Sequence, residues 1–391
     1  MRQVTKFYIT SFLKNQTYFT PILVIFLQAQ NLDYSQIFWV FTIGSIFSLL
    51  IEIPTGVFAD LYGKRKSIMI SKLGIFLSYI AYGLAGTFWS FVIAQILFEL
   101  GNAFRTGTET AYTFDYLEQN PKGNPKYTEV KGKQKFYARI GESVATAAGG
   151  FLAARLGYSW VFFIAAIPAF FNFVLSMRWE KIREKDHGFT MKNSLLHTKD
   201  SMLSLIRKRH VMVIIINIMI FSSVLAALNK FIQPYMKEAG IAISMFGVIY
   251  SASLILTAIA VRYSYLFERL LGGSRRTMNI LSFLAVIPVL ILGSRFISIV
   301  GVLLFFLVVI IENIRSPIAN NEFHQHVSSK QRATLGSALS LFKSLGKIMI
   351  LPFAGYLADG FSLYTAILVM GIILVLNSLV FFIRSPEKTH D

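Results

Sequence analysis

Twelve charged side chains lie inside stretches of sequence that are otherwise apolar: Lys14, Glu52, Lys72, Glu99, Arg105, Glu109, Arg139, Glu142, Glu312, Arg315, Lys343 and Lys347. An ionisable group placed at the middle of a bilayer costs at least about 2.5–3.5 kcal/mol on insertion scales, so each is a candidate for binding a solute or carrying a proton. Helical spacing groups them with other polar residues. Gln95, Glu99, Asn102 and Thr106 share one helix face, and Arg139, Glu142, Ser143 and Thr146 share another, with Arg139 and Glu142 spaced i, i+3 to pair. Lys343 and Lys347 are i, i+4 beside Ser340 and Ser344, and two lysines so close repel unless an anion or a carboxylate lies between them. Lys14, Asn15 and Tyr18 occupy the middle of the first apolar run, Asn217 that of the seventh, and Glu312 and Asn313 fall in the tenth. Lys72, Arg105 and Arg315 are explained more simply, by a long side chain reaching the surface or a cation suiting a helix C-terminus. No histidine lies deep in an apolar run: His210 begins the seventh, and His324 and His326 fall in a loop. Proton transfer therefore falls to carboxylates, with Glu99 first and then Glu142 and Glu312.

The elements that must position these groups are apolar helices. The 391-residue chain is 54% hydrophobic and only 15% charged, with a mean hydropathy of +0.57 and no Cys. That composition argues against disorder and against soluble domains, and the lack of Cys removes a thiolate metal site or nucleophile. Runs long enough to cross a bilayer fall near 7–28, 36–59, 67–86, 88–110, 136–157, 159–178, 211–232, 243–264, 277–294, 296–317, 334–358 and 362–383. The expected fold is an all-α membrane protein of two six-helix bundles, 1–178 and 211–391, joined by a polar cytoplasmic linker at 179–210. Placing both termini in the cytoplasm puts 27 basic residues inside and four outside, so the net charge of +18 reads as topology, and nucleic acid is not needed to explain it.

The halves resemble each other. At a spacing of 210, Gly63, Arg65, Lys66 and Ile70 meet Gly273, Arg275, Arg276 and Ile280, and Arg105 meets Arg315. At a spacing of 205, Gly141, Gly150, Leu152 and Ala153 meet Gly346, Gly355, Leu357 and Ala358. Parallel repeats of a six-helix unit follow.

The loop after the second run reads EIPTGVFADLYGKRK. It resembles the signature of the major facilitator superfamily, G-x-x-x-D-[RK]-x-G-[RK]-[RK], through Gly56, Asp60, Gly63, Lys64 and Arg65, and departs from it at Leu61. Asp60 is expected to pair with Lys64 or Arg65. The resemblance implies that this cluster latches the cytoplasmic ends of the two halves, and that the first, fourth, seventh and tenth helices line a central cavity. The substrate-contact candidates are then Lys14, Asn15, Tyr18, Asn102, Arg139, Asn217, Asn313, Lys343 and Lys347, beside the three carboxylates. Two drug-antiporter patterns are incomplete. Gln95 and Glu99 stand where an arginine and a glycine belong in the fourth helix, and Ala145 and Thr146 replace a Gly-Pro pair in the fifth.

The function expected is secondary transport in the cell membrane by a monomer that needs no cofactor or metal: proton-coupled efflux of a drug or metabolite. The alternative is proton-coupled uptake of an anionic or zwitterionic solute, motivated by the excess of cavity-level cations. A more distant one is a non-transporting receptor or scaffold. Enzymatic and nucleotide-driven readings fail because the chain has no phosphate-binding loop of the G-x-x-x-x-G-K-[ST] type and no soluble domain to hold a nucleotide.

Overall fold

A computed structural model describes residues 2–121, 123–183, 209–325 and 332–382. Every element among the described residues is a helix. The first half contains α1 (Gln3–Leu13), α2 (Leu23–Ala29), α3 (Tyr34–Tyr62), α4 (Lys64–Leu84), α5 (Phe88–Arg105), α6 (Thr108–Gln119), α7 (Tyr127–Leu156) and α8 (Tyr158–Met177). The second contains α9 (Arg209–Glu238), α10 (Ile243–Arg262), α11 (Ser264–Leu270), α12 (Ser274–Gly293), α13 (Ile299–Gln325), α14 (Arg332–Gly360) and α15 (Leu363–Val380). The side chains of His210, His324 and His326 lie outside those described.

Packing divides the chain into two units. One is Met1–Leu32, Ile43–Leu195 and Ile241–Ser251; the other is Asp33–Thr42, Leu196–Gly240 and Ala252–Asp391. The opening turns of α3 thus pack with the second unit, where the Asp359 carboxylate accepts the Tyr34 and Ser35 N–H groups at 2.9 and 2.6 Å and satisfies donors the helix start leaves free. The opening turns of α10 pack with the first unit. The polar segment after α8 does not leave that unit at once. Trp179, 2% exposed, packs with Phe7, Tyr112 and Tyr116, and the Tyr112 hydroxyl donates to the Glu180 carbonyl at 2.5 Å.

Nine helices among the described residues are long and apolar enough to cross a membrane. They do not include α1 with α2, α5 or α7, the counterparts of the expected first, fourth and fifth spans, and these carry Lys14, Glu99, Arg105, Arg139 and Glu142. Two expected spans are broken. The run 7–28 is interrupted by turns over 14–22, where the Asn15 side chain takes the Ser11 carbonyl that the continuing helix would use and Pro21 has no N–H to give. Asn15 Nδ2 donates to the Ser11 carbonyl at 2.7 Å, and Gln16 Nε2 crosses to the Gly141 carbonyl at 3.2 Å. The run 88–110 ends at Arg105. Thr106 turns both its N–H and its hydroxyl onto the Asn102 carbonyl, at 2.9 Å each, and Gly107 takes a φ of 75° that only glycine adopts freely, so α6 starts in a new direction.

The broken first span lies directly on α7. A Cβ on Gly141 would stand 2.5 Å from the Phe12 carbonyl oxygen, and one on Gly149 would overlap the Tyr18 carbonyl. Gly150 makes the same close approach to the Ile243 carbonyl at the start of α10. The glycines of the fifth span are therefore contact points for backbone.

Two substitutions on α7 should separate contact from helix propensity. Gly149→Ala is expected to lower stability by about 1–3 kcal/mol through overpacking. Gly132→Ala, with nothing within 4 Å of the added Cβ, should raise it by roughly 0.5–1 kcal/mol. Thermal unfolding of the purified variants in detergent reads both signs.

Candidate functional site

The break at Gly107 decides where Glu109 goes. It falls in the first turn of α6, where a carboxylate suits the helix dipole, and its side chain is only 9% exposed. Lys14 from the broken first span donates to Oε2 at 3.0 Å, and Lys72 from α4 donates to Oε1 at 3.3 Å. Lys72 is 3% exposed, so it does not reach the surface as the sequence suggests; it is held in the interior by Glu109. One carboxylate thus joins three segments that are distant in sequence.

Beside this triad lies a cavity of about 490 Å³ whose wall includes Lys14, Arg105, Glu109, Lys131, Gln134 and Lys135. Lys131 Nζ donates to the Thr110 hydroxyl at 3.3 Å. Burial lowers the Lys131 ammonium pKa from its ordinary value; Glu109 opposes that, while Lys14 and Lys135 add to it. A smaller cavity of about 170 Å³ shares Lys14 and Arg105 with the first and adds Asn15, Lys72, Phe98 and Asn102. Arg105 Nη2 donates to Asn102 Oδ1 at 2.9 Å, and Arg105 forms no ion pair among the described residues.

Of the residues singled out in the sequence, Lys14, Asn15 and Asn102 therefore meet at one cavity. Tyr18 does not line it; its hydroxyl donates to Gln16 Oε1 at 2.9 Å. Glu99 sits half-buried one turn from Gln95, whose Nε2 donates to Glu99 Oε1 at 2.9 Å while its own Oε1 accepts from the Tyr82 hydroxyl. Arg139 and Glu142 pair at 2.7 Å, but with side chains 68% and 27% exposed they form a surface pair worth roughly 0–1 kcal/mol. Lys131 and Gln134 are not singled out in the sequence, where Lys72 and Arg105 read as cations reaching a surface or suiting a helix end and Glu109 only as one more charge within a span. The signal that could have found them is the Thr106-Gly107-Thr108 run in the middle of an apparent span.

In the second unit Arg315 is 3% exposed and is a buried anchor, contrary to the expectation of a cation at a helix end. Its Nε donates to Ser282 Oγ at 2.9 Å, its Nη2 donates to Asn217 Oδ1, and its guanidinium lies 4.0 Å from the Phe221 ring centre. Asn217 Nδ2 donates onward to the Phe381 carbonyl at 3.1 Å, so this residue ties helices together. Glu312, one turn before Arg315, lies within electrostatic range of Arg315, Lys347 and Lys343, but forms no ion pair with either lysine among the described residues. Asn313 Nδ2 donates to the Val309 carbonyl of its own helix at 2.8 Å.

The signature loop also differs from its expected pairing. Lys64 meets Asp115 on α6 at 2.6 Å, and Arg65 donates to the Met177 carbonyl at the end of α8; Asp60 is exposed. Gly63, with a φ of 96°, makes the turn between α3 and α4, and Gly56 has open space beside it. The second unit repeats the arrangement, with Arg275 on Glu322 at 2.5 Å.

Comparison with known proteins adds to this geometry. A family model described as Major Facilitator Superfamily matches residues 8–346. The chain is 21% identical over 381 residues to the uncharacterized MFS-type transporter YxaM of Bacillus subtilis (strain 168), covering 95% of this chain and 93% of that protein. It is 27% identical over 199 residues to the multidrug resistance protein MdtG of Escherichia fergusonii, covering 51% of this chain and 47% of that protein, so this match spans about half of each. The crystal structure of the nucleoside transporter NupG has a TM-score of 0.81 at 15% identity, covering 97% of this chain and 98% of that one. At such identity the likeness is one of fold.

The triad makes a double-mutant cycle informative. Glu109→Gln leaves the Lys72 ammonium buried without its counter-charge and is expected to cost about 3–5 kcal/mol. Adding Lys72→Met removes the stranded charge and should restore most of that loss, as read from unfolding titrations in mixed micelles. Simple additivity of the two single changes would show that Lys72 and Glu109 do not interact.

Proposed function

We propose, from the premise that this chain belongs to the Major Facilitator Superfamily, that it exports a small organic molecule, a drug or metabolite, across the cell membrane in exchange for protons. Export proceeds by alternating access of a mid-membrane site, with the protein acting as a monomer and both termini in the cytoplasm. The observation that carries the proton coupling is Glu99. It is a half-buried carboxylate at the middle of α5, joined through Gln95 to Tyr82, where an ionised acid costs free energy. Glu142 and Glu312 are the further coupling candidates, and the loop of Gly56, Asp60, Gly63, Lys64 and Arg65 is the cytoplasmic latch. The outward direction draws on the partial likeness to a protein named for multidrug resistance. A second reading, uptake of an anionic or zwitterionic solute, is favoured by the cations around the larger cavity.

The test uses proteoliposomes loaded with a pH-sensitive dye and a substrate found by a thermal-shift screen against drugs, organic anions and siderophores. The wild-type protein should move protons against the substrate flux, and Glu99→Gln should abolish that coupling while its thermal unfolding stays cooperative. Undiminished pH-driven flux in the variant would reject Glu99 as the coupling residue. Proton and substrate moving in the same direction would replace export with uptake.

A further inference from the structure

The larger cavity of the first unit holds more positive charge than its own carboxylate answers. Lys14, Arg105, Lys131 and Lys135 line it against Glu109 alone, and Glu109 is already shared with Lys72 behind the wall. Arg105, Lys131 and Lys135 form no ion pair among the described residues. A guanidinium and two ammonium groups gathered around one open cavity repel one another, and an anion seated between them relieves that repulsion. Gln134 supplies an independent observation. It lines the same cavity, its side chain is buried with the residue 7% exposed, and its Oε1 has no hydrogen-bond partner among the described residues. A buried acceptor left unmet costs free energy, and a ligand hydroxyl or amine would meet it. The adjoining smaller cavity, reached past Lys14 and Arg105, carries Ile75, Tyr79 and Phe98 and so offers an apolar seat.

We infer that the cavity between α1, α5, α6 and α7 is the binding site for a small organic anion that carries a hydroxyl or amine. Its acidic head is held by Arg105, Lys131 and Lys14, its donor by Gln134, and its apolar body lies along Tyr79 and Phe98. This names the substrate class of the transporter proposed above and rests on that reading for its biological meaning, though the binding itself does not. Glu109 is the internal anion that occupies Lys14 when the site is empty, and the ligand competes with it for that ammonium. Arg105 is the principal anchor, because its planar fork matches a carboxylate in two hydrogen bonds and it lines both cavities.

Calorimetric titration of the purified full-length protein, in neutral detergent and without any gradient, tests the site. The probes are 3-hydroxybenzoate, its neutral isostere 3-hydroxybenzamide and its cationic counterpart 3-hydroxybenzylammonium. The carboxylate should bind and the other two should not. Arg105→Gln and Lys131→Gln should each weaken it by about tenfold or more, the size of one lost hydrogen bond to a charged group. Lys133→Gln, whose lysine is exposed and paired with Glu129, should leave it unchanged. Amide binding equal to that of the carboxylate, or full affinity in Arg105→Gln with its unfolding intact, would overturn the inference. Stabilisation by phosphatidylglycerol beyond that by 3-hydroxybenzoate would assign the cations to a lipid headgroup and overturn it as well. Proton flux driven by a neutral solute, with no anion bound, would remove the substrate class and leave the transporter reading standing. Anion binding without any flux would do the reverse.

Discussion

A carboxylate buried with two ammonium groups has to be held from every side, and Glu109 sets that requirement for the first unit. Taking Glu109 and Lys72 out of water is expensive, and their attraction, with that of the partly exposed Lys14, offsets the expense only when the distances stay short. Lys14 must then be delivered by a first span that breaks, Lys72 by a helix that keeps its lysine inside, and Glu109 by a chain that turns at Gly107. The cavity follows from the same geometry. Because the broken first span and the start of α6 both leave the regular helix path here, the space that two continuous helices would fill is left open and lined by polar groups.

The glycines of α7 are the complement of that break. A chain that leaves helical geometry over 14–22 exposes carbonyls, and these can approach a neighbour only where it has no side chain. Gly141 and Gly149 meet the Phe12 and Tyr18 carbonyls for that reason. The missing Gly-Pro pair of the antiporter pattern does not interrupt this surface, since Ala145 and Thr146 are fully buried within it.

Much of the frame was legible in the sequence. Run lengths gave helices close to those observed, and the i, i+3 spacing of Arg139 and Glu142 produces the expected pair. The site was less legible, because hydropathy averages over a window and a break changes the average little. The run 88–110 stays apolar across Thr106 and Gly107, so Glu109 read as one more residue late in a span. Lys72 and Arg315 have side chains long enough to reach a surface, and spacing alone does not reveal that a partner inside holds each of them. Their anchors, Glu109 for one and Asn217 with Ser282 for the other, come from helices far away in sequence.

The two units show which charges a duplicated scaffold keeps and which it reassigns. Each ties a basic residue of its signature loop to an acid farther along the chain, Lys64 to Asp115 and Arg275 to Glu322, and this pair fixes a helix start in both. Arg105 and Arg315 occupy the equivalent position at a spacing of 210, yet their surroundings have diverged. Arg315 is closed in by Asn217, Ser282 and Phe221, with Glu312 one turn before it in electrostatic range, so it works as a bracket between helices. Arg105 has one amide partner and two cavities. A guanidinium presents five donors, and burying them against protein consumes them, whereas leaving them along a cavity keeps them available to a ligand. The same residue at the same register therefore serves packing in one unit and recognition in the other, and the difference lies in whether the helix that carries it continues or stops.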